Sequence, residues 1–260
     1  MLTSLQNPLV KQLRKLHRPK ERREQQLFLL EGTHLIEEAC LVDYPLALVC
    51  CTPDWQEAHP DLWAVLQPRV ARIELVSPEV LAAIATTTTP DGVVAAALRS
   101  SPLAFPATIT LALAVETLQD PGNLGTIIRT AAAAGADGLW VSTDSVDLDH
   151  PKVLRASAGQ WFRLPMQVVD LSDPIAHFKA AGGQVIATLP SADLTYWELN
   201  WQRPSLILLG NEGAGLSPEL AAQADVEVTI PLMAGVESLN VAIAAALLLY
   251  EARRQRKHKT

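Results

Sequence analysis

Apolar residues along this chain fall into two spacings. Short runs with hydrophobic residues at successive positions recur at 46–51, 72–76, 93–98, 109–115, 139–142, 185–189, 206–209 and 226–230. Between them lie stretches of helical periodicity, among them 33–43, 78–85, 124–134, 174–181 and 218–224. Strands that are apolar at every position suit a sheet covered on both faces, as in parallel sheets. Their alternation with helices predicts an α/β fold. The stretch SSPLAFPAT at 100–108 sets two prolines and small hydroxyl residues between two strand signals, which reads as a linker. The pattern therefore divides the chain into a smaller N-terminal α/β unit, residues 1–104, and a C-terminal unit, residues 105–260.

Composition narrows the class. Of 260 residues, 49% are hydrophobic and 19% charged, which excludes a largely disordered chain. No run approaches the roughly 20 apolar residues of a membrane helix. The longest candidate, 241–250, has the length of a buried core helix. The N-terminus shows no apolar core followed by a cleavage site, so a cytoplasmic protein is expected. Cys40, Cys50 and Cys51 form no CxxC pair and read as reduced thiols, with no metal site.

A net charge of −7 argues at first against a nucleic-acid partner, but its distribution reverses the argument. Residues 11–23 hold seven Lys/Arg against one Glu, and residues 253–259 hold five more with no acid. The remainder carries nine basic against 27 acidic residues. A polyanion is drawn to the two ends and repelled by the rest. Lys11, Arg14, Lys15, Arg18, Arg22 and Arg23 are the candidate RNA contacts of the first run.

Three segments of the C-terminal unit carry candidate chemistry. In DPGNLGTIIRTAAAAG, turn and cap residues precede a helix starting near Leu124. Arg129 lies on that helix among small residues. It either snorkels to the helix edge, pairs with a buried acid, or emerges at a crevice. In LILLGNEGAGLSPEL a strand runs into a glycine-rich turn with one charge, Glu212. Gly210, Gly213 and Gly215 permit close approach of backbone to a ligand. Neither a P-loop nor a GxGxxG spacing is present, and a glutamate suits a cationic or neutral group better than a phosphate. In TIPLMAGVESLNVAIAAALLLYEARRQ, Ser238 or Asn240 can cap a helix that is apolar all round, which belongs in a core or a subunit interface.

Together, NxGxxxR at 123–129, GNEGxGL at 210–216 and IPxxxGVESLNV at 230–241 resemble the three motifs of the SpoU/TrmH family of RNA ribose 2′-O-methyltransferases, in order and spacing. The third departs in lacking a second glycine before the valine. NPLVKQLRKL with FLLEGTHLIEEA resembles that family's N-terminal substrate-binding domain. The resemblance implies a SPOUT fold: a parallel sheet with a deep trefoil knot, preceded by an RNA substrate-binding α/β domain. It implies S-adenosylmethionine held by Thr188, Leu189, Gly210, Asn211, Gly213, Ile230, Leu232, Leu239 and Asn240. It also implies a homodimer through the third-motif helix. Arg129 would activate the ribose hydroxyl, with Asn123, Glu212, Ser238 and Asn240 around it. Lys152, Arg155 and Ser157, in HPKVLRASAGQWFRLP, would lie near the RNA path or on an ordinary capped helix. The expected substrate is ribosomal RNA, the alternatives being tRNA or RNA binding without turnover.

Overall fold

Strands and helices alternate through residues 1–100 and 102–257, which the computed structural model describes. The chain opens with α1 (Pro8–Lys15), α2 (Pro19–Gln25), β1 (Leu27–Glu31), α3 (Thr33–Leu41) and β2 (Leu46–Cys51). It continues with α4 (Pro53–Ala58), α5 (Pro60–Leu66), β3 (Ile73–Leu75), α6 (Pro78–Ile84) and β4 (Val93–Leu98). These elements form a four-stranded sheet of order β1-β4-β2-β3, antiparallel except for β2 with β3.

The fully parallel sheet read from the apolar runs is therefore not found in this unit. Burial on both faces explains the runs instead. Phe28, Leu30, Val49 and Cys51 enter one core, while Leu29, Leu48 and Cys50 enter the other. A strand sandwiched between two cores is apolar at every position whatever the direction of its neighbours. Burial also pushes the Cys50 thiol up to about 12 and the Cys51 thiol to about 11, so each stays protonated at neutral pH.

The second unit is built from β5 (Leu111–Val115), α7 (Pro121–Ala134) and β6 (Gly138–Ser142), then β7 (Met166–Val169), α9 (Ser172–Ala180), β8 (Gln184–Thr188) and β9 (Leu194–Thr195). It closes with β10 (Ser205–Leu209), α10 (Pro218–Ala221), β11 (Val226–Thr229) and α11 (Val241–Lys257). Its seven strands run in the order β7-β6-β5-β10-β8-β11-β9, and every pair is parallel. Ala112, Ala114, Leu206 and Leu208 pack with Ile175, Phe178 and Leu220 of α9 and α10. Helices α7 and α11 pack on each other, α7 also on β6 and α11 also on β10.

Chain contacts group Met1–Ser101 with Asp147–Phe162, and Pro102–Val146 with Arg163–Thr260. The segment 147–162, placed by the sequence in the C-terminal unit, thus belongs with the N-terminal one. It carries α8 (Pro151–Ala156), which packs on β1, and a 3-10 turn at Gln160–Phe162. Leu154 and Phe162 enter the N-terminal core, and the Trp161 ring lies 5.2 Å from Phe28 and 5.8 Å from Tyr44.

Arg22, expected to face RNA, has no exposure and anchors this segment. Its guanidinium donates to Asp149 Oδ1 at 3.0 Å, Asp147 Oδ2 at 2.8 Å and the carbonyls of Leu16 and His17 at 3.2 Å. Ser157, also assigned to the RNA path, is fully buried, its hydroxyl donating to the Leu154 carbonyl at 2.7 Å. Neither side chain can reach RNA. Spacing marked them as cations and hydroxyls in promising segments but carried no information on which way they turn.

Candidate functional site

Strands of a parallel sheet all end at one edge, and open α/β sheets bind ligands beyond that carboxyl edge. At the end of β5, Asp120 caps α7, its Oδ1 accepting from the backbone N–H groups of Gly122 and Asn123. Pro121 occupies the first helical position, so the helix begins three residues before Leu124. Gly135, at φ +82°, ends it with a left-handed turn, and the Ala136 N–H returns to the Ala131 carbonyl at 2.9 Å.

Asn123 consequently lies in the first turn of α7, at the mouth of the helix. The Glu212 carboxylate, in the turn after β10, accepts from the backbone N–H of Asp120 at 2.9 Å and of Gln119 at 3.2 Å. It also accepts from Asn123 Nδ2 at 3.1 Å. Asn123 Oδ1 in turn accepts from Asn240 Nδ2 at 2.9 Å. Asn240 Oδ1 caps α11 through the N–H groups of Ala242 at 2.9 Å and Ile243 at 3.3 Å. One chain of hydrogen bonds therefore joins the three segments, across sequence separations of 89 and 117 residues.

Burial pushes the Glu212 carboxyl up, but the N–H groups of Asp120 and Gln119 and the Asn123 amide outweigh it and hold it below its usual value. The group is ionised at neutral pH, and these three hydrogen bonds direct it to its own chain rather than to a cationic ligand. That revises the expectation drawn from its charge. Of the two possible caps, Asn240 takes the helix; among the described residues Ser238 makes no hydrogen bond.

Beside this chain lies a cleft of about 450 Å³. Thr188, Leu189, Gly210, Asn211, Gly213, Ile230, Leu232 and Leu239 line it, with Glu212 and Ser238. The backbone makes the cleft at Gly210: a Cβ there would stand 2.0 Å from the Gly215 carbonyl carbon and 2.1 Å from the Leu216 nitrogen. Asn211 and Gly215 exchange two backbone hydrogen bonds of 3.0 Å, and Asn211 Oδ1 accepts from Gly213 and Ala214. The Thr188 hydroxyl is buried on the cleft wall with no hydrogen-bond partner among the described residues, a polar group left for a ligand.

Glu237, Pro190, Val241 and Ala244 line the cleft as well and were missed. Glu116 was missed too: its carboxylate takes Ser217 N–H at 2.7 Å and Ser217 Oγ at 2.6 Å, fixing the far end of the glycine turn. An acid closing the apolar strand LALAVE was the available signal.

Arg129 does not line the cleft. It stands on the exposed side of α7, about 9 Å along the axis from Asn123. Among the described residues its side chain has no ion pair or hydrogen bond, so the buried-acid alternative falls. Lys11, Arg14, Lys15, Arg18 and Arg23 are exposed, Arg23 pairing with Asp147 at 2.8 Å. Lys152 is exposed, whereas Arg155 reaches the buried Glu31 at 2.7 Å.

The second basic run is largely committed to the fold. Arg253 donates to the Ala133 carbonyl, and Arg254 pairs with Glu251 at 2.7 Å. Arg256 donates to the carbonyls of Trp201 and Thr110 at 2.8 Å. Lys259 lies outside the described residues.

A parallel α/β sheet with a glycine-walled cleft at its carboxyl edge, flanked by a hydrogen-bonded Glu–Asn–Asn chain, defines the class of site. The chain belongs to the SpoU rRNA Methylase family, whose model matches residues 110–250, and an MRM3-like substrate binding domain matches residues 7–95. It is 49% identical over 259 residues to an uncharacterized tRNA/rRNA methyltransferase of Synechocystis, covering 98% of this chain and 93% of that one. It is 35% identical to the 23S rRNA (guanosine(2553)-2′-O)-methyltransferase RlmP of Bacillus subtilis, over 97% of this chain and 98% of the other. Its fold is similar to that of an AdoMet-bound rRNA methyltransferase from Sinorhizobium meliloti, with a TM-score of 0.87, 34% identity, and coverage of 100% and 98%.

Proposed function

We propose that this chain is an S-adenosylmethionine-dependent RNA ribose 2′-O-methyltransferase acting on ribosomal RNA in the cytoplasm. The observation that carries the reading is that the second and third motif segments line one cleft while the Glu212–Asn123–Asn240 hydrogen bonds tie the first segment to both. Ribosomal RNA is favoured because likeness to rRNA methyltransferases extends over nearly the whole chain, including the substrate-binding part.

The cleft fits the cofactor by its volume, which lies within the ~300–1,000 Å³ range of small-molecule sites. The Thr188 hydroxyl, without a partner among the described residues, and the exposed backbone of 213–215 add hydrogen-bonding groups. Thr188, Leu189, Gly210, Asn211, Gly213, Ile230, Leu232 and Leu239 would hold it, whereas Asn240, also expected to, does not line the cleft and bonds to Asn123 instead. S-adenosylmethionine supplies an activated methyl group when bound.

The protein must align a weakly nucleophilic hydroxyl and help its proton leave. Arg129 is the cation assigned to that hydroxyl. A guanidinium is hardly ever deprotonated, so it orients the 2′-oxygen and neighbouring phosphate and stabilises developing negative charge, the proton leaving to phosphate or water. Ser238 and Asn240 offer hydrogen bonds at the cleft mouth. R129K would lower the transfer rate at least 10-fold, because a point charge does not reproduce the planar fork; a rate near wild type would rule out guanidinium-specific chemistry.

The trefoil knot belongs to the same proposal. β10 lies between β5 and β8, and after β11 the chain returns to set α11 against β10 and α7. A homodimer through α11 is supported by Ile243, Leu247 and Tyr250, which leave 51%, 36% and 51% of their surface exposed on a helix whose other side, including Ala245, Leu248 and Leu249, is buried.

Incubation with labelled S-adenosylmethionine and separate rRNA and tRNA pools tests the function. Label in rRNA at ribose positions is expected. Label in tRNA alone would move the substrate, and cofactor binding without transfer to either pool would refute catalysis.

A further inference from the structure

The N-terminal unit distributes its cations unevenly. Lys20 pairs with Glu24, Arg22 with Asp147 and Asp149, Arg23 with Asp147, Arg69 with Asp43 and Arg72 with Glu74. Arg99 pairs with Asp149 and Arg155 with Glu31, while Lys152 is also engaged. Lys11, Arg14, Lys15 and Arg18 are the exception. All four are exposed, and among the described residues none has an ion pair or a side-chain hydrogen bond.

These four are neighbours. On α1 the apolar edge Val10, Leu13 and Leu16 is buried, and the cations occupy the opposite side. Backbone bonds from Leu16 to Leu13, His17 to Arg14 and Arg18 to Lys15 carry the helical path one turn past the end of α1. The row from Lys11 to Arg18 is therefore about 10 Å long. It contains four like-charge pairs at i,i+3 or i,i+4, each of which destabilises a helix.

Helix electrostatics account for only part of it. Arg14 and Lys15 lie in the last turn of α1, where cations are favourable, but Lys11 lies in its first half and Arg18 beyond its end. The fold thus maintains a row of mutually repelling charges and neutralises none of them, in a chain of net charge −7.

We propose that Lys11, Arg14, Lys15 and Arg18 form a docking stripe for the phosphodiester backbone of RNA, whereas Arg22 and Arg23 of the same basic run serve the fold. The inference rests on RNA being the partner named above and assigns where its backbone is held. Phosphate contacts of this kind fix position without reading sequence, and each releases counterions.

The test uses the full chain, with K11Q/R14Q/K15Q/R18Q against wild type and with K20Q as a control for an already paired cation. Affinity for protein-free ribosomal RNA is measured across a salt series, alongside S-adenosylmethionine affinity, thermal midpoint and methyl transfer. The quadruple variant is expected to bind RNA at least 10-fold more weakly near 0.1 M salt. Its log–log salt slope should be shallower by about 3, at roughly 0.7–0.9 per lost contact. Cofactor affinity should stay unchanged, the thermal midpoint should not fall, since four like-charge repulsions are removed, and K20Q should match wild type.

An unchanged RNA affinity and salt slope would overturn the stripe while methyl transfer by wild type left the enzymatic reading intact. RNA binding that depends on the stripe, in a wild type that transfers no methyl, would do the reverse. Loss of binding to anionic phospholipid vesicles with RNA affinity retained would overturn the proposal in favour of a membrane surface.

Discussion

Gly210 gives the sharpest prediction, because the obstruction to a side chain there is backbone rather than a movable side chain. In G210A the new Cβ would meet the Gly215 carbonyl carbon at 2.0 Å, where ordinary contact begins at 3.4 Å, so 215–216 must shift by about 1.4 Å. Such a shift opens the two 3.0 Å hydrogen bonds between Asn211 and Gly215, at about 1 kcal/mol each. Overpacking adds about 1–3 kcal/mol. The whole, about 3–5 kcal/mol, falls on a turn that forms one wall of the cleft. Calorimetric titration with S-adenosylmethionine should show affinity reduced at least 100-fold. The internal comparison is G215A: nothing lies within 4 Å of that Cβ, and only φ +73° resists it. A left-handed alanine costs about 1–2 kcal/mol, so about 10-fold is expected. G210A within threefold of wild type, or G215A the worse of the two, would refute the reasoning.

Arg22→Ala strips the buried Asp149, 4% exposed, of one of its two arginine partners, Arg99 at 2.8 Å being the other, and should cost at least about 2 kcal/mol, a fall of roughly 4 °C or more in thermal midpoint by calorimetry. A change under 2 °C would show the network to be idle. N240D keeps an acceptor for the α11 cap but cannot donate to Asn123 Oδ1, so the thermal midpoint should hold while methyl transfer falls at least 10-fold; equal losses in both would make Asn240 a cap alone. The Glu212 carboxyl is held below its usual value, so its contribution is full above the unfolded value of about 4.3 and is lost as pH falls through the lower folded one. The difference in thermal midpoint between wild type and E212Q should accordingly be constant from pH 7 to about 5 and vanish in stronger acid, and a difference that grew on acidification would reverse the assignment.

Local patterning was enough for much of this. The apolar runs located most of the strands, and Asp120-Pro121 and Ser217-Pro218 wrote their own helix starts, because capping is decided within a few residues. The strands β1, β7 and β9 were not read. β7 lies at the sheet edge with two of its four residues exposed, and β9 has two residues, too few for any period. The three motif segments were also legible, and with them the family.

Tertiary structure alone decided how those residues are used. A cation looks the same in sequence whether it faces water or a carboxylate 127 residues away, so only the fold separates Arg22 from Arg18. The same holds for Glu212, whose partners lie 89 to 93 residues earlier in the chain. Strand direction in the N-terminal sheet was likewise invisible, since burial on two faces writes the same apolar run for either direction. Sequence determines which groups are available and where elements begin. Long-range pairing, which no local period records, determines which groups meet.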